Sequence, residues 1–140
     1  MNNTEKLRYN LGFEEVISLI ENKRIDFNKD PTSIIYVDKI KKFFNDVVKG
    51  LESRLEPEHK GKDCFFMEDL REIVEASGFK YQNASEEDIR NTIKEFGNQI
   101  WYLSMLKENP EEFYKSKEAE SLLDYCKKIK NSSAFNYSYS

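Results

Sequence analysis

Six large apolar side chains recur at alternating steps of three and four along residues 33–55, and this pattern is the strongest constraint on the fold. They are Val37, Ile40, Phe44, Val47, Leu51 and Leu55. Because an α-helix has about 3.6 residues per turn, this spacing places all six on one face. So long an apolar face must be covered by other parts of the chain. The pattern therefore predicts a long central helix in an all-α domain.

Length and composition favour one domain without a membrane segment. A chain of 140 residues, 39% apolar and 34% charged, has the composition of a single folded domain. Its longest apolar runs are four residues, far short of the ~20 that span a bilayer. The first residues also lack the charged and then apolar pattern of a secretion signal. We therefore expect a soluble, cytoplasmic protein.

Apolar patterns on either side of residues 33–55 predict further helices. The first covers residues 12–23, and the preceding residues 1–11 are predicted to form a loose N-terminal arm. A third helix at about residues 63–77 is followed by Gly78, which suits the left-handed conformation that commonly ends a helix.

The fourth predicted helix covers residues 86–108. Ser85 and Asp88 have the spacing of a capping box, and an apolar face follows them. Gly97 interrupts this helix at a cost of about 1 kcal/mol relative to alanine, so a strand at residues 99–106 is the alternative. We prefer a continuous helix because the apolar residues stay in phase beyond the glycine.

The fifth predicted helix extends from Asn109-Pro110 to about residue 130. Proline in the first turn has no hydrogen bond to lose, and acidic residues near the start with lysines near the end complement the helix dipole. Residues 131–140 mix polar and aromatic side chains without a helical period and are predicted to form a flexible tail. The sequence thus predicts a single-domain bundle of about five helices over residues 12–130.

The chain lacks the patterns of common catalytic and cofactor sites. Its five glycines are isolated from one another, which excludes a glycine-rich phosphate loop and a nucleophile elbow. His59 is the sole histidine, and with Cys64 and Cys126 it supplies at most three of the four ligands of a structural zinc site. We therefore expect a non-catalytic protein with free thiols, no metal and no cofactor.

The best functional lead is a concentration of carboxylates where the third and fourth helices meet. If these helices are antiparallel neighbours, the end of one lies beside the start of the other. The predicted partner-binding residues are Glu72, Glu75, Glu86, Glu87 and Asp88. With a net charge of −4, this group favours another protein with a basic surface as the partner and disfavours nucleic acid. Ordinary solvent-exposed charge is the alternative interpretation.

Three classes of function stay open. We favour an interaction protein that binds, and neutralises or scaffolds, another macromolecule, as an immunity protein or a mobile-element inhibitor does. A small helical enzyme or ligand-binding protein would instead build a pocket from distant residues. The candidates for that pocket are His59, Cys64, Trp101 and Tyr102. An accessory subunit of a nucleoprotein complex would need aligned basic residues. The candidates for that role are Lys39, Lys41, Lys42 and Lys49.

Overall fold

The computed structural model describes residues 3–23, 31–56, 74–75, 77–79 and 84–131. Every regular element within these residues is an α-helix, so the predicted all-α bundle is confirmed for the described part of the chain. The helices are α1 (Asn3–Asn22), α2 (Pro31–Leu55), α3 (Glu86–Glu108), α4 (Pro110–Lys115) and α5 (Lys117–Lys130). None of them is both long enough and apolar enough to cross a membrane.

Helix α2 carries the apolar stripe that the sequence predicts. Five of its six members are fully buried, and Leu55 at the end of the helix is partly buried. The α2 helix packs against α1 and α3. The Phe44 ring lies 5.9 Å from Phe13 of α1, 5.5 Å from Phe96 of α3 and 6.0 Å from Tyr125 of α5, measured between centroids. One aromatic side chain therefore joins four helices.

Helix α1 begins at Asn3 rather than at residue 12, so the predicted loose arm is wrong for residues 3–11. The ring of Tyr9 packs on Phe43 with centroids 4.5 Å apart, and the Lys39 ammonium lies 5.8 Å from the Tyr9 ring. Leu7 and Leu11 of this extension are exposed, so the apolar pattern of the sequence does not indicate a buried helix face there. A tyrosine among polar residues holds this part of α1 on α2.

Helix α1 also packs against α5. Lysines in the last turn of α5 pair with acidic residues of α1. The Lys127 Nζ atom lies 3.6 Å from Glu21 Oε1, and the Lys130 Nζ atom lies 3.3 Å from Glu14 Oε1. The first and last described helices are thus neighbours in space.

Helix α3 is continuous from Glu86 to Glu108, and the strand alternative for residues 99–106 is wrong. The capping box is confirmed: the Asp88 amide donates to Ser85 Oγ at 3.0 Å, and the Ser85 amide donates to Asp88 Oδ2 at 3.3 Å. Gly97 lies inside the helix with ordinary helical geometry, whereas Gly78 has a φ of 105°. The left-handed conformation predicted for Gly78 is therefore confirmed.

The predicted fifth helix is divided into α4 and α5 by Ser116, whose φ of −94° and ψ of 159° are extended. Phe113 and Ala119 are both buried, yet six residues on one straight helix would separate them by about 120°. The break at Ser116 lets both face the core. The Ser116 hydroxyl donates to the Phe113 carbonyl oxygen at 2.6 Å and closes the end of α4.

Several predictions fall wholly or largely outside the described residues. Val74 and Glu75 of the predicted third helix are described and helical, and Ser77 is described in a turn. Residues 63–73 and 76 of that predicted helix lie outside the described residues. The predicted tail is described only at Asn131, in a turn that follows α5. His59 and Cys64 also lie outside the described residues.

Candidate functional site

The carboxylates predicted as a partner-binding face lie at the start of α3 and just before it in the chain. Glu72 is outside the described residues, and the side chains of the other four are exposed. Glu86 pairs with Arg90 at 2.7 Å, and Asp88 forms the capping box. The exposure follows from the helical period, because Ile89, Thr92 and Phe96 occupy the core side of α3.

A polar hollow of about 300 Å³ lies where residues 77–79 meet the first turns of α3. Its α3 side is formed by Asp88, Asn91, Thr92 and Glu95. The end of the predicted third helix therefore does lie beside the start of α3. The hollow brings Asp88 together with Glu95, a residue that the sequence analysis missed. The signal was present in the spacing, because residues seven apart share one side of a helix.

The opposite wall of the hollow is held in place by its own backbone and by α5. Gly78 takes the left-handed conformation, which turns the chain, and Phe79 is buried in the core. The Ser77 hydroxyl donates to the Val74 carbonyl oxygen at 2.6 Å. From α5, the Lys128 ammonium donates to the Ser77 carbonyl oxygen at 3.2 Å. Residues 77–79 are thus fixed against the helix that carries Lys128.

A buried tyrosine hydroxyl lies close to this hollow. The Tyr125 hydroxyl is near Ser77 and Glu95, without the geometry of a hydrogen bond to either. Burial raises the pKa of Tyr125 above its ordinary range, and the negative charge of Glu95 acts in the same direction. Tyr125 therefore stays protonated at neutral pH.

The hollow has the chemistry of a cation-binding surface rather than that of a nucleophilic centre. Its charged members are the carboxylates of Asp88 and Glu95.

Cys126, which does not line the hollow, is the cysteine that the structure describes. It is free and fully buried, and burial raises its thiol pKa far above the ordinary range. Within the described residues, no three histidine, cysteine or acidic side chains could hold a metal ion.

A second, larger groove of about 590 Å³ lies between the end of α1 and the junction of α4 with α5. Ile20, Ala119 and Leu123 contribute apolar surface to it. Its charged lining residues are Lys23, Lys115 and Lys117 together with Glu21 and Glu120. Of the residues predicted for a ligand pocket, Trp101 is 61% exposed and Tyr102 is partly buried. Neither of them lines this groove.

Of the four lysines considered for a nucleoprotein role, two lie together. Lys39 and Lys42 line one hollow of about 510 Å³ between α1 and α2, which Arg8 and Asp38 also line, and the Lys39 ammonium lies over the Tyr9 ring. Lys41 is half-buried and Lys49 is exposed.

No protein-family model matches the chain, and comparisons with curated proteins and with solved structures gave no match. The function is therefore argued from the site itself.

Proposed function

We propose that this chain is a non-catalytic interaction protein that binds the basic surface of another protein. The observation that carries the proposal is the hollow in which Asp88 and Glu95 face residues 77–79. Binding itself is the activity in this proposal, so the protein neutralises or scaffolds its partner as an inhibitor or immunity protein would.

The spacing of the two carboxylates suits a pair of cationic side chains. Asp88 and Glu95 are about 10 Å apart along the axis of α3, because each helical residue adds about 1.5 Å. An arginine of the partner can donate two parallel hydrogen bonds to one carboxylate, and a neighbouring lysine or arginine can reach the other. Exposed Glu87, next to Asp88 in the chain, and the net charge of −4 add longer-range attraction.

Charge reversal tests this proposal. The variant Glu87→Lys with Glu95→Lys changes exposed side chains and leaves the capping box intact. The matched control, Glu111→Lys with Glu112→Lys, makes the same charge change at exposed positions in the first turn of α4. A partner retained by the wild type from a lysate of the native host is then purified, and its association rates are measured at low and high salt.

We expect the variant to associate about tenfold or more slowly than the wild type at low salt, with a flatter salt dependence. The control should retain most of the wild-type rate. Equal rates for variant and wild type, or an equal loss in variant and control, would remove the hollow from the proposal. Thermal melting shows whether each variant is folded.

A ligand-binding role is the second candidate, and the 590 Å³ groove favours it. Apolar surface beside Lys115 and Lys117 suits an amphiphilic anion such as a medium-chain fatty acid, and Glu21 and Glu120 reduce the net positive charge of the groove. The test is calorimetric titration of decanoate into the wild type and into Lys115→Glu with Lys117→Glu. Saturable binding that the double variant lacks would support this role. Because burial of apolar surface can have an enthalpy near zero at one temperature, the absence of a binding isotherm at both about 15 °C and about 35 °C would exclude decanoate as a ligand.

A further inference from the structure

The side of α3 that faces away from the core carries a second stripe of residues. Arg90, Lys94, Gly97, Trp101 and Glu108 follow one another at steps of four, three, four and seven, which places them on one helix face. Trp101 is 61% exposed, and the charged members are exposed as well. This stripe lies about 140° around α3 from the carboxylate hollow, so it is a separate surface.

Gly97 is not required by the packing of the described residues. Its φ is helical, and among the described residues no atom would lie within 4 Å of a Cβ atom at this position. A glycine inside a helix costs about 1 kcal/mol relative to alanine, and no turn or close internal contact here uses its freedom. What Gly97 does provide is an open, flat place on the helix surface, one turn from the exposed Trp101 ring.

The stripe is complementary to itself in the antiparallel direction. In a pair of identical helices related by a two-fold axis, each residue meets a residue at the same distance on the other side of the midpoint. With the midpoint at Gln99, Gly97 and Trp101 are two residues on either side of it, and Arg90 and Glu108 are nine residues on either side. In such a pair, this register would place each Trp101 ring over the open surface at Gly97 of the other helix. It would also place each Arg90 guanidinium beside the Glu108 carboxylate of the other helix.

We propose that this face of α3 binds a second copy of this chain. The two α3 helices run antiparallel, each Trp101 ring covers Gly97 of the partner subunit, and each Arg90 pairs with Glu108 of the partner subunit. The charge pairs lie at the ends of a strip about 27 Å long. The Arg90 guanidinium already donates from Nε and Nη2 to Glu86 Oε1, and its remaining N–H groups are available for the second carboxylate.

The self-association is measured by sedimentation velocity across a wide range of protein concentration. Trp101 is the one tryptophan of the chain, so its fluorescence reports on this face alone. We expect a monomer–dimer equilibrium in which emission shifts to shorter wavelength as the dimer forms. A monomer at every concentration, with unshifted emission, would overturn the proposal and leave a different protein as the occupant of this face.

Three variants locate the contact. Gly97→Leu should abolish the dimer without unfolding the monomer, because the added side chain enters open space. Trp101→Ala should raise the dimer dissociation constant about thirtyfold or more, the scale of an interface hot spot. Arg90→Glu should raise it about tenfold, since it places like charges opposite each other at both ends of the strip.

A charge swap tests the register itself. Adding Glu108→Arg to Arg90→Glu restores opposite charges and should return the dissociation constant to near the wild-type value. The control is Lys49→Glu at an exposed position of α2, and it should leave dimerisation unchanged. A dimer that survives Gly97→Leu, or a double variant that does not recover, would overturn this contact. Circular dichroism at low concentration establishes that each variant monomer is folded.

Discussion

Phe44 is fully buried, and its ring contacts aromatic rings from three other helices. We expect Phe44→Ala to lower the free energy of unfolding by about 3–5 kcal/mol, because the cavity opens where these helices meet. Denaturant titration measures this loss. The control is Ile35→Ala on the same helix, where the side chain is 62% exposed and the change should stay below about 0.5 kcal/mol. Similar losses in both variants would show that the ring cluster is not the core.

Tyr114 links α4 to the end of α1. Its hydroxyl donates to the Leu19 carbonyl oxygen at 2.8 Å, and this carbonyl belongs to the last turn of α1. Burial raises the pKa of Tyr114 from 10.0 to about 12. The unfolded chain therefore loses this proton near pH 10, whereas the folded chain keeps it until about pH 12.

The sign of the pH effect follows from these two pKa values. The Tyr114 contribution to stability is complete below pH 10 and is lost as the pH rises to about 12. We expect Tyr114→Phe to cost about 0.5–1.5 kcal/mol at neutral pH and to reduce the loss of stability over that alkaline range. Urea titrations at several pH values measure both effects, with Tyr102→Phe as the control. Parallel pH curves for wild type and Tyr114→Phe would contradict this assignment.

At the scale of the helix, Gly97 and Gly78 should respond in opposite ways to alanine. Gly97→Ala should stabilise the monomer by a few tenths to about 1 kcal/mol, because the position is helical and open. Gly78→Ala should destabilise it, since a φ of 105° is strained for any residue with a Cβ atom. Thermal melting at low concentration compares the two variants. A lower melting temperature for Gly97→Ala would mean that α3 is not regular at this point.

The helices differ in how far the sequence could predict them. Helices α2 and α3 were predicted to within two residues of their ends because their apolar stripes stay in phase over many turns. The start of α1 depends on the packing of Tyr9 against Phe43, a tertiary contact that a local pattern does not contain. The break at Ser116 had a signal in the sequence, because Phe113 and Ala119 do not share one face of a continuous helix. The prediction of a single helix over this region did not use that signal.

The candidate site was predictable only in part. The acidic first turn and the capping box at Asp88 follow from local sequence rules. The hollow itself depends on where residues 77–79 lie against α3, and the contact from Lys128 of α5 helps to fix that placement. Periodicity gives the face of each helix but not which distant segment covers it. The spacing places Glu95 on the same side of α3 as Asp88, but it does not show that both face residues 77–79.

At the scale of the whole molecule, Cys126 is a reporter of global unfolding. Its side chain is fully buried in α5, and burial holds the thiol in its protonated form. In a Cys64→Ser background, we expect a thiol reagent to label Cys126 only as fast as the molecule opens. The labelling rate should then follow the denaturant dependence of global unfolding. If Cys126 is labelled in native buffer as fast as in the fully unfolded chain, this prediction is wrong.

The expectation that the fold needs no metal is tested on the whole chain. We expect a strong chelator to leave the melting temperature unchanged, because the described core is built from apolar side chains. Protein for this measurement is purified without a metal-affinity tag. Stoichiometric zinc in such a preparation, or a lower melting temperature after chelation, would contradict the prediction.

The packing of α1 against α5 has a consequence for synthesis on the ribosome. At about 5–20 residues per second, translation of the chain between Asn22 and Lys117 takes on the order of 5–20 s. During that time α1 can pack against α2, but the side of α1 that α5 covers in the folded protein stays exposed. The two ion pairs between α1 and α5 are also not yet formed. A nascent chain that stalls in this interval presents apolar helix surface to chaperones, and release of α5 from the exit tunnel ends that exposure.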